Sequence, residues 1–216
     1  MSRLSRPRVL LADDHRMVAE GLKSLLAANF ELVGMVEDGR ALIAAAKKLH
    51  PDVIVADITM PHLNGLDALT ALKKHNPQVK VVFLTMHHEV AYARRALEAG
   101  AAGFVLKHSA AAELLTAIQA ALDGNTYITP ALAGEVIQSL RRGGNAAGDP
   151  STKLTPRQRE ILQLLAEGQS AKEIAGTLGI SSRTVEFHKY QMMESLRVHN
   201  SAELIHFAIK QGIVAI

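Results

Sequence analysis

The chain has 216 residues, 48% of them apolar, which is enough to bury the core of one domain or of two. Its net charge of +3 is mildly basic: this suits a polyanionic partner but excludes binding nucleic acid through a dense Lys/Arg tail alone. The absence of cysteine excludes disulfides, thiolate metal sites, iron–sulfur clusters and a cysteine nucleophile, and suits a reducing, cytoplasmic setting.

In chain order, the segment Met1-Ser-Arg-Leu-Ser-Arg-Pro-Arg8 carries the positive charge of an export signal, but the apolar run that follows ends at once in Asp13-Asp14. No later stretch offers the ~18 consecutive apolar residues of a membrane helix, so a soluble protein with no membrane partner is expected. From Val9 to about Leu122, short β-branched runs (Val9–Ala12, Leu32–Val36, Val53–Ala56, Val79–Leu84 and Gly103–Leu106) alternate with segments of helical periodicity. The helical segments are His15–Ala28, Gly39–Leu49, Gly65–His75, Glu89–Ala99 and Ser109–Leu122. Strands apolar along their whole length are buried on both faces, so helices must cover both sides of a parallel sheet. The pattern predicts an α/β doubly wound (βα)5 domain over residues 7–123.

Thr129 as N-cap and Pro130 at the first helical position predict a helix over Ala131–Arg142. Gly143-Gly-Asn-Ala-Ala-Gly-Asp-Pro150 reads as a flexible tether, so residues 124–150 are expected to form a linker carrying one helix. Residues 151–216 change to an all-α pattern of four helices. The first starts with a capping box, Thr155 with Gln158, carries Ile161, Leu162, Leu164 and Leu165, and stops at Gly168. The second covers Ser170–Leu178 and ends at Gly179, Ser181 or Ser182 caps a third reaching about Leu196, and the fourth covers Ser201–Gln211.

Open parallel sheets bind ligands at the carboxyl ends of their strands. Those ends carry Asp13 and Asp14 after the first strand, Asp57 at the third, Thr85 at the fourth and Lys107 after the fifth. Three converging carboxylates repel one another unless neutralised, and a hard divalent cation such as Mg²⁺ suits both oxygen ligands and a phosphoryl group. Asp57 is then a candidate nucleophile: a carboxylate accepts a phosphoryl group as a mixed anhydride when metal and Lys offset the charge, and a Thr hydroxyl can hydrogen-bond the product. Singly, each of these residues reads as a turn, strand-end or surface residue. Their combination on corresponding strand ends favours the site. The adjacent His87 and His88 read as a solvated loop pair and not as metal ligands.

At these residues a family resemblance becomes clear. Leu10-Leu-Ala-Asp13-Asp14-His15, Val55-Ala-Asp57-Ile-Thr59-Met-Pro61-His-Leu-Asn-Gly65, Phe83-Leu-Thr85-Met86 and Gly103-Phe104-Val-Leu-Lys107 resemble the receiver domain of bacterial response regulators. The resemblance implies that Asp57 takes a phosphoryl group from the phosphohistidine of a sensor histidine kinase. It implies that Asp13, Asp14, Asp57 and the backbone carbonyl of Thr59 hold Mg²⁺, one acid acting directly or through water. Thr85 would shift toward the phosphoryl group and Phe104 would turn inward; alone, Phe104 would read as core. His88 stands where this subfamily frequently has Asp.

Ile174-Ala-Gly-Thr-Leu-Gly179-Ile-Ser-Ser-Arg-Thr184-Val185 has the spacing of a helix-turn-helix, whose second helix can enter the major groove; a protein-binding helical bundle is the plainer alternative. Helical spacing puts Val185, Met192 and Leu196 on an inner stripe and Glu186, Lys189, Tyr190 and Met193 on another. Arg183, Thr184 and Lys189 suit phosphates, and Glu186 suits a cytosine amino group. Phe187 could touch a thymine methyl or pack internally, packing being the preferred reading. The run from Leu154-Thr-Pro-Arg-Gln-Arg-Glu160 through Gly168, Glu173 and Gly179 to Thr184-Val-Glu-Phe-His-Lys189 resembles the LuxR-type DNA-binding domain. With the receiver, nearly the whole chain resembles the NarL/FixJ class, although the position of Glu186 is often basic there. The class implies dimerisation through the last helix, around Ala202–Lys210, on a pseudo-palindromic operator.

The expected function is a DNA-binding transcription regulator controlled by phosphorylation of Asp57, and not a turnover enzyme. Asp57-Ile-Thr59 is similar to the nucleophile segment of haloacid-dehalogenase-like phosphatases, but those carry a second Asp where Thr59 stands. The alternative is a regulator switched by a ligand or protein partner independently of phosphate.

Overall fold

Alternation of side chains along four buried strands decides the architecture of the N-terminal half. The computed structural model describes residues 6–141 and 153–214, which fall in two compact units, Met1–Gly144 and Asn145–Ile216. In the first unit the strands are β1 (Arg8–Ala12), β2 (Glu31–Val36), β3 (Val53–Ala56), β4 (Val81–Thr85), β5 (Gly103–Leu106) and β6 (Tyr127–Ile128). They form one parallel sheet in the order β2-β1-β3-β4-β5-β6. Successive residues of a strand face opposite sides. Leu10, Ile54, Phe83 and Phe104 therefore enter one core with α2 (Gly39–Leu49), α3 (Gly65–His75) and α4 (Val90–Glu98). Leu11, Val55, Val82 and Val105 enter the other with α1 (Arg16–Asn29) and α5 (Ala110–Leu122). The doubly wound arrangement follows from central strands that are apolar on both faces.

Two expectations change here. β2 shares the pattern of the buried strands but lies at the sheet's edge, with Glu31 exposed and the rest half-buried. Residues 124–141 are part of the first unit and not a linker. Tyr127–Ile128 pairs with Gly103–Phe104 as the sixth strand, and α6 (Pro130–Arg141) follows, with Leu132 and Val136 buried in the α2–α3–α4 core. Thr129 is buried; its hydroxyl accepts the Leu106 N–H at 3.1 Å and donates to Glu113 at 2.8 Å, fastening this return. The tether expected at Gly143–Pro150 lies outside the described residues.

The site end of β3 is held by close packing. Asn64 caps α3 through the Asp67 N–H, and Gly65 sits so near β3 that a Cβ there would lie 2.2 Å from the Asp57 carbonyl oxygen and 2.9 Å from Phe83 Cε1. Neither a backbone oxygen nor a fully buried ring yields freely. Gly65→Ala is expected to cost about 3 kcal/mol, the upper range for overpacking, seen as a lower denaturation midpoint with unchanged slope.

In the second unit four capped helices enclose one core: α7 (Pro156–Ala166), α8 (Ala171–Leu178), α9 (Ser182–Leu196) and α10 (Ser201–Lys210). Thr155 with Gln158 and Ser170 with Glu173 form capping boxes, while Ser181 and Asn200 cap α9 and α10. Ile161, Leu162, Leu164, Ile174, Val185, Met192, Leu204 and Ala208 fill the interior.

Candidate functional site

At the carboxyl edge of the sheet, β1 and β3 end side by side, delivering Asp13 and Asp57 to one buried spot; they are 2% and 3% exposed. Lys107, following β5, reaches across with Nζ 2.6 Å from Asp57 Oδ2 and 2.8 Å from Asp13 Oδ2. The Thr59 N–H donates to Asp57 Oδ1 at 3.3 Å. Burial pushes the Asp57 carboxyl above the ordinary carboxylate range, outweighing the Lys107 ammonium that pulls it down; Asp13 adds to the rise. For Lys107, burial works against the charge, but Asp57 and Asp13 together hold its ammonium above the ordinary range.

Asp14 joins from the β1–α1 turn, and so does His15. His15 Nδ1 lies 2.9 Å from Asp14 Oδ1, 3.3 Å from Asp13 Oδ1 and 3.9 Å from Asp57 Oδ2. One potential ligand atom from each of Asp13, Asp14, His15 and Asp57 lies within 4.8 Å of the others. Asp13 Oδ2 and Asp14 Oδ1 are buried and accept no well-aimed hydrogen bond, although Lys107 and His15 stand within ion-pair distance. An arrangement of buried, incompletely satisfied carboxylate oxygens fits a divalent cation.

Thr85, wholly buried at the end of β4, accepts the His87 N–H on its hydroxyl at 3.2 Å. The His87 ring contradicts the solvated reading. Its Nε2 is 2.6 Å from Thr59 Oγ1, and it stacks on Tyr92 of α4 with centroids 4.2 Å apart. His88 is exposed, its ring 5.4 Å from that of His108. Phe104 is fully buried, within the core that includes α3 and α4. Reading the sequence missed His15, although it directly follows the acidic pair, and it missed His87, whose partner Thr59 is distant in the chain.

In the second unit, α8 and α9 are joined by a tight turn in which Gly179 adopts φ +65° and the Ile180 N–H returns to the Ala175 carbonyl. Val185 and Met192 are buried and Leu196 half-buried, as the periodicity requires. Met193, placed on the outer stripe by spacing, is partly buried against the core. Phe187 and Tyr190 stand out at 57% and 67% exposure, so the preference for an internally packed Phe187 is corrected. Arg183 is exposed, Lys189 pairs with Glu186 at 3.6 Å one turn away, and the Thr184 hydroxyl lies 2.8 Å from that of Ser181.

Comparison with known proteins agrees with both halves. Residues 9–119 match the response regulator receiver domain, and residues 152–208 match the bacterial regulatory proteins of the luxR family. The transcriptional regulatory protein MctR of Rhizobium johnstonii is 35% identical, the match spanning 100% of this chain and 99% of that protein. The response regulator UvrY of Escherichia coli K12 is 30% identical over 95% of this chain and 94% of its own. Among solved structures, RcsB of Salmonella enterica serovar Typhimurium, bound to promoter DNA in the presence of a phosphomimetic, has a TM-score of 0.61. It is 30% identical, over 94% of this chain and 98% of that one. A receiver fold with its acidic edge, followed by a helix-turn-helix unit, and relatives matched end to end lead to one conclusion: the chain belongs to the response regulators of the NarL/FixJ class.

Proposed function

We propose that this protein is a transcription regulator in which Asp57 accepts a phosphoryl group from the phosphohistidine of a sensor histidine kinase, and in which α9 reads DNA. The observation that carries the reading is the buried Lys107 bridge to Asp57 and Asp13, at 2.6 and 2.8 Å, on the carboxyl edge of the sheet. In the transfer, a carboxylate oxygen of Asp57 bonds to phosphorus as the P–N bond to the donor imidazole breaks, that nitrogen keeping the electron pair. Lys107 stays protonated and offsets charge on the phosphoryl oxygens, while the Thr59 N–H orients the carboxylate. Asp13, Asp14, Asp57 and the Thr59 carbonyl would hold Mg²⁺, which when bound supplies further charge neutralisation for the phosphoryl group.

Thr85 is the hydroxyl donor for the product. To reach it, Thr85 gives up the hydrogen bond it accepts from the His87 N–H, which loosens the Thr59–His87–Tyr92 contact against α4. Phe104, already inward, supplies the packing that favours this state. In the reader, Arg183, Thr184 and Lys189 contact phosphates, while Glu186, Phe187 and Tyr190 face the base edges. The exposure of Phe187 supports contact with a thymine methyl. Phosphorylation favours a homodimer through α10 on a pseudo-palindromic operator. Among the described residues no helix is long and apolar enough to cross a membrane, and a cytoplasmic site of action fits this role.

Incubation with acetyl phosphate and Mg²⁺ tests the reading: mass spectrometry is expected to find a hydroxylamine-sensitive phosphate on Asp57, with tighter binding to operator DNA selected from a random pool. Phosphate on another residue, or none, would overturn it. Lys189→Ala is expected to weaken all sequences alike and to lower the salt slope of binding by about 1. Glu186→Ala is expected to change the selected bases instead, and an unchanged consensus would remove Glu186 from base reading.

A further inference from the structure

The nitrogen in the acidic pocket sets this site apart from an all-oxygen one. His15 occupies the N-cap position of α1, where Ser, Thr, Asp or Asn would accept a helix N–H, yet its side chain makes no capping bond. Its ring is directed instead at three carboxylates. The backbone places His15 over the pocket: its N–H donates to Asp13 Oδ1 at 2.9 Å, closing a tight turn.

The distances suit shared coordination. Around an octahedral ion with bonds of about 2.1 Å, adjacent ligands lie about 3.0 Å apart and opposite ones about 4.2 Å. His15 Nδ1 is 2.9 and 3.3 Å from oxygens of Asp14 and Asp13, which matches adjacent positions, and 3.9 Å from Asp57 Oδ2, close to an opposite one. We propose that His15 is a nitrogen ligand of this pocket, so that it strengthens the hold on first-row transition ions such as Mn²⁺ and Co²⁺ more than the hold on Mg²⁺. The chemistry is that of ligand softness: imidazole adds little to a hard ion that favours oxygen, and adds progressively more along the series from Mn²⁺ to Co²⁺. The proposal rests on the reading that Asp13, Asp14 and Asp57 hold a divalent ion.

The test uses the full chain and the ions themselves. Pulsed electron paramagnetic resonance on the Mn²⁺-loaded protein is expected to show coupling to an imidazole ¹⁴N, lost in His15→Ala. Calorimetric titration is expected to show Co²⁺ affinity falling about tenfold or more in His15→Ala, with Mg²⁺ affinity changed by less than about threefold. The His15 side chain is 57% exposed and caps nothing, so the variant keeps its fold, and Mg²⁺ serves as the internal control. Nitrogen coupling that persists in His15→Ala belongs to another histidine and overturns the proposal. So does a parallel fall in Co²⁺ and Mg²⁺ affinity, which marks a structural role. If Mn²⁺ binds without nitrogen and is lost in Asp13→Asn, the carboxylate pocket stands and only His15 is excluded. If Mn²⁺ binding survives Asp13→Asn and Asp57→Asn, the pocket reading falls as well.

Discussion

Asp57→Asn is expected to abolish phosphoryl uptake completely and, in metal-free buffer, to raise the melting temperature. The first effect follows because an amide offers no nucleophilic carboxylate oxygen. The second follows from burial, which holds the Asp57 carboxyl above its ordinary value in the fold. Below the unfolded value of 3.8 both states are protonated and no penalty arises. As pH rises past it, the unfolded chain releases its proton first, so stability falls until the folded carboxyl also ionises, and the loss then stays constant. Asn carries no such penalty, and Lys107 keeps Asp13 as its counter-ion at 2.8 Å. The melting temperatures of the two proteins should therefore converge in acid and separate toward neutrality. A variant equally stable at all pH values would show that Lys107 compensates fully for the burial of Asp57. The site thus trades folding stability for a reactive carboxylate.

Lys107→Ala should act in the opposite sense and more strongly. Removing the ammonium leaves Asp13 and Asp57 buried without their counter-ion, and breaking one partner of a buried pair costs about 3–5 kcal/mol. The loss should be greatest near neutral pH and shrink on acidification, because the stranded carboxyls can then take up protons. Added divalent cation should return part of it, since an ion that binds only the folded state stabilises it by mass action. Urea unfolding at several pH values, with and without Mg²⁺, measures all three effects. A loss independent of pH would assign the role of Lys107 to packing of its methylene stem.

The parts of this structure legible in the sequence are those governed by uninterrupted local patterns. Val9–Ala12, Val53–Ala56, Val81–Leu84 and Gly103–Leu106 are apolar at every step, and each places a chemically distinct residue directly after its last apolar position; Asp13, Asp57, Thr85 and Lys107 could therefore be located at one edge. The caps at Thr155 and at Ser181 act within one helical turn and are equally legible, whereas the Ser170–Glu173 capping box emerges only from the structure. What escaped depends on distant partners or on lengths too short for a period. β6 has two residues, too few to show alternation, and its place beside β5 is set by the fit of Thr129 against Leu106 and Glu113. The Thr59–His87 bond joins residues from different loops. Phe187, for which the sequence reading prefers internal packing over thymine contact, points outward because its direction is fixed by where Val185 and Met192 enter the interior.

The two-residue strand β6 also bears on how the chain survives its own synthesis. β5 is apolar along its whole length, and without Tyr127 and Ile128 it would present an open edge able to recruit strands from other molecules. A strand so short, followed at once by Pro130 and a helix, covers that edge without offering a long new one. A nascent chain that has released only residues up to Asp123 would leave that edge open. Thr129 and α6 close this edge as they emerge and dock, so stalling or proteolytic clipping between these points is expected to favour self-association through β5.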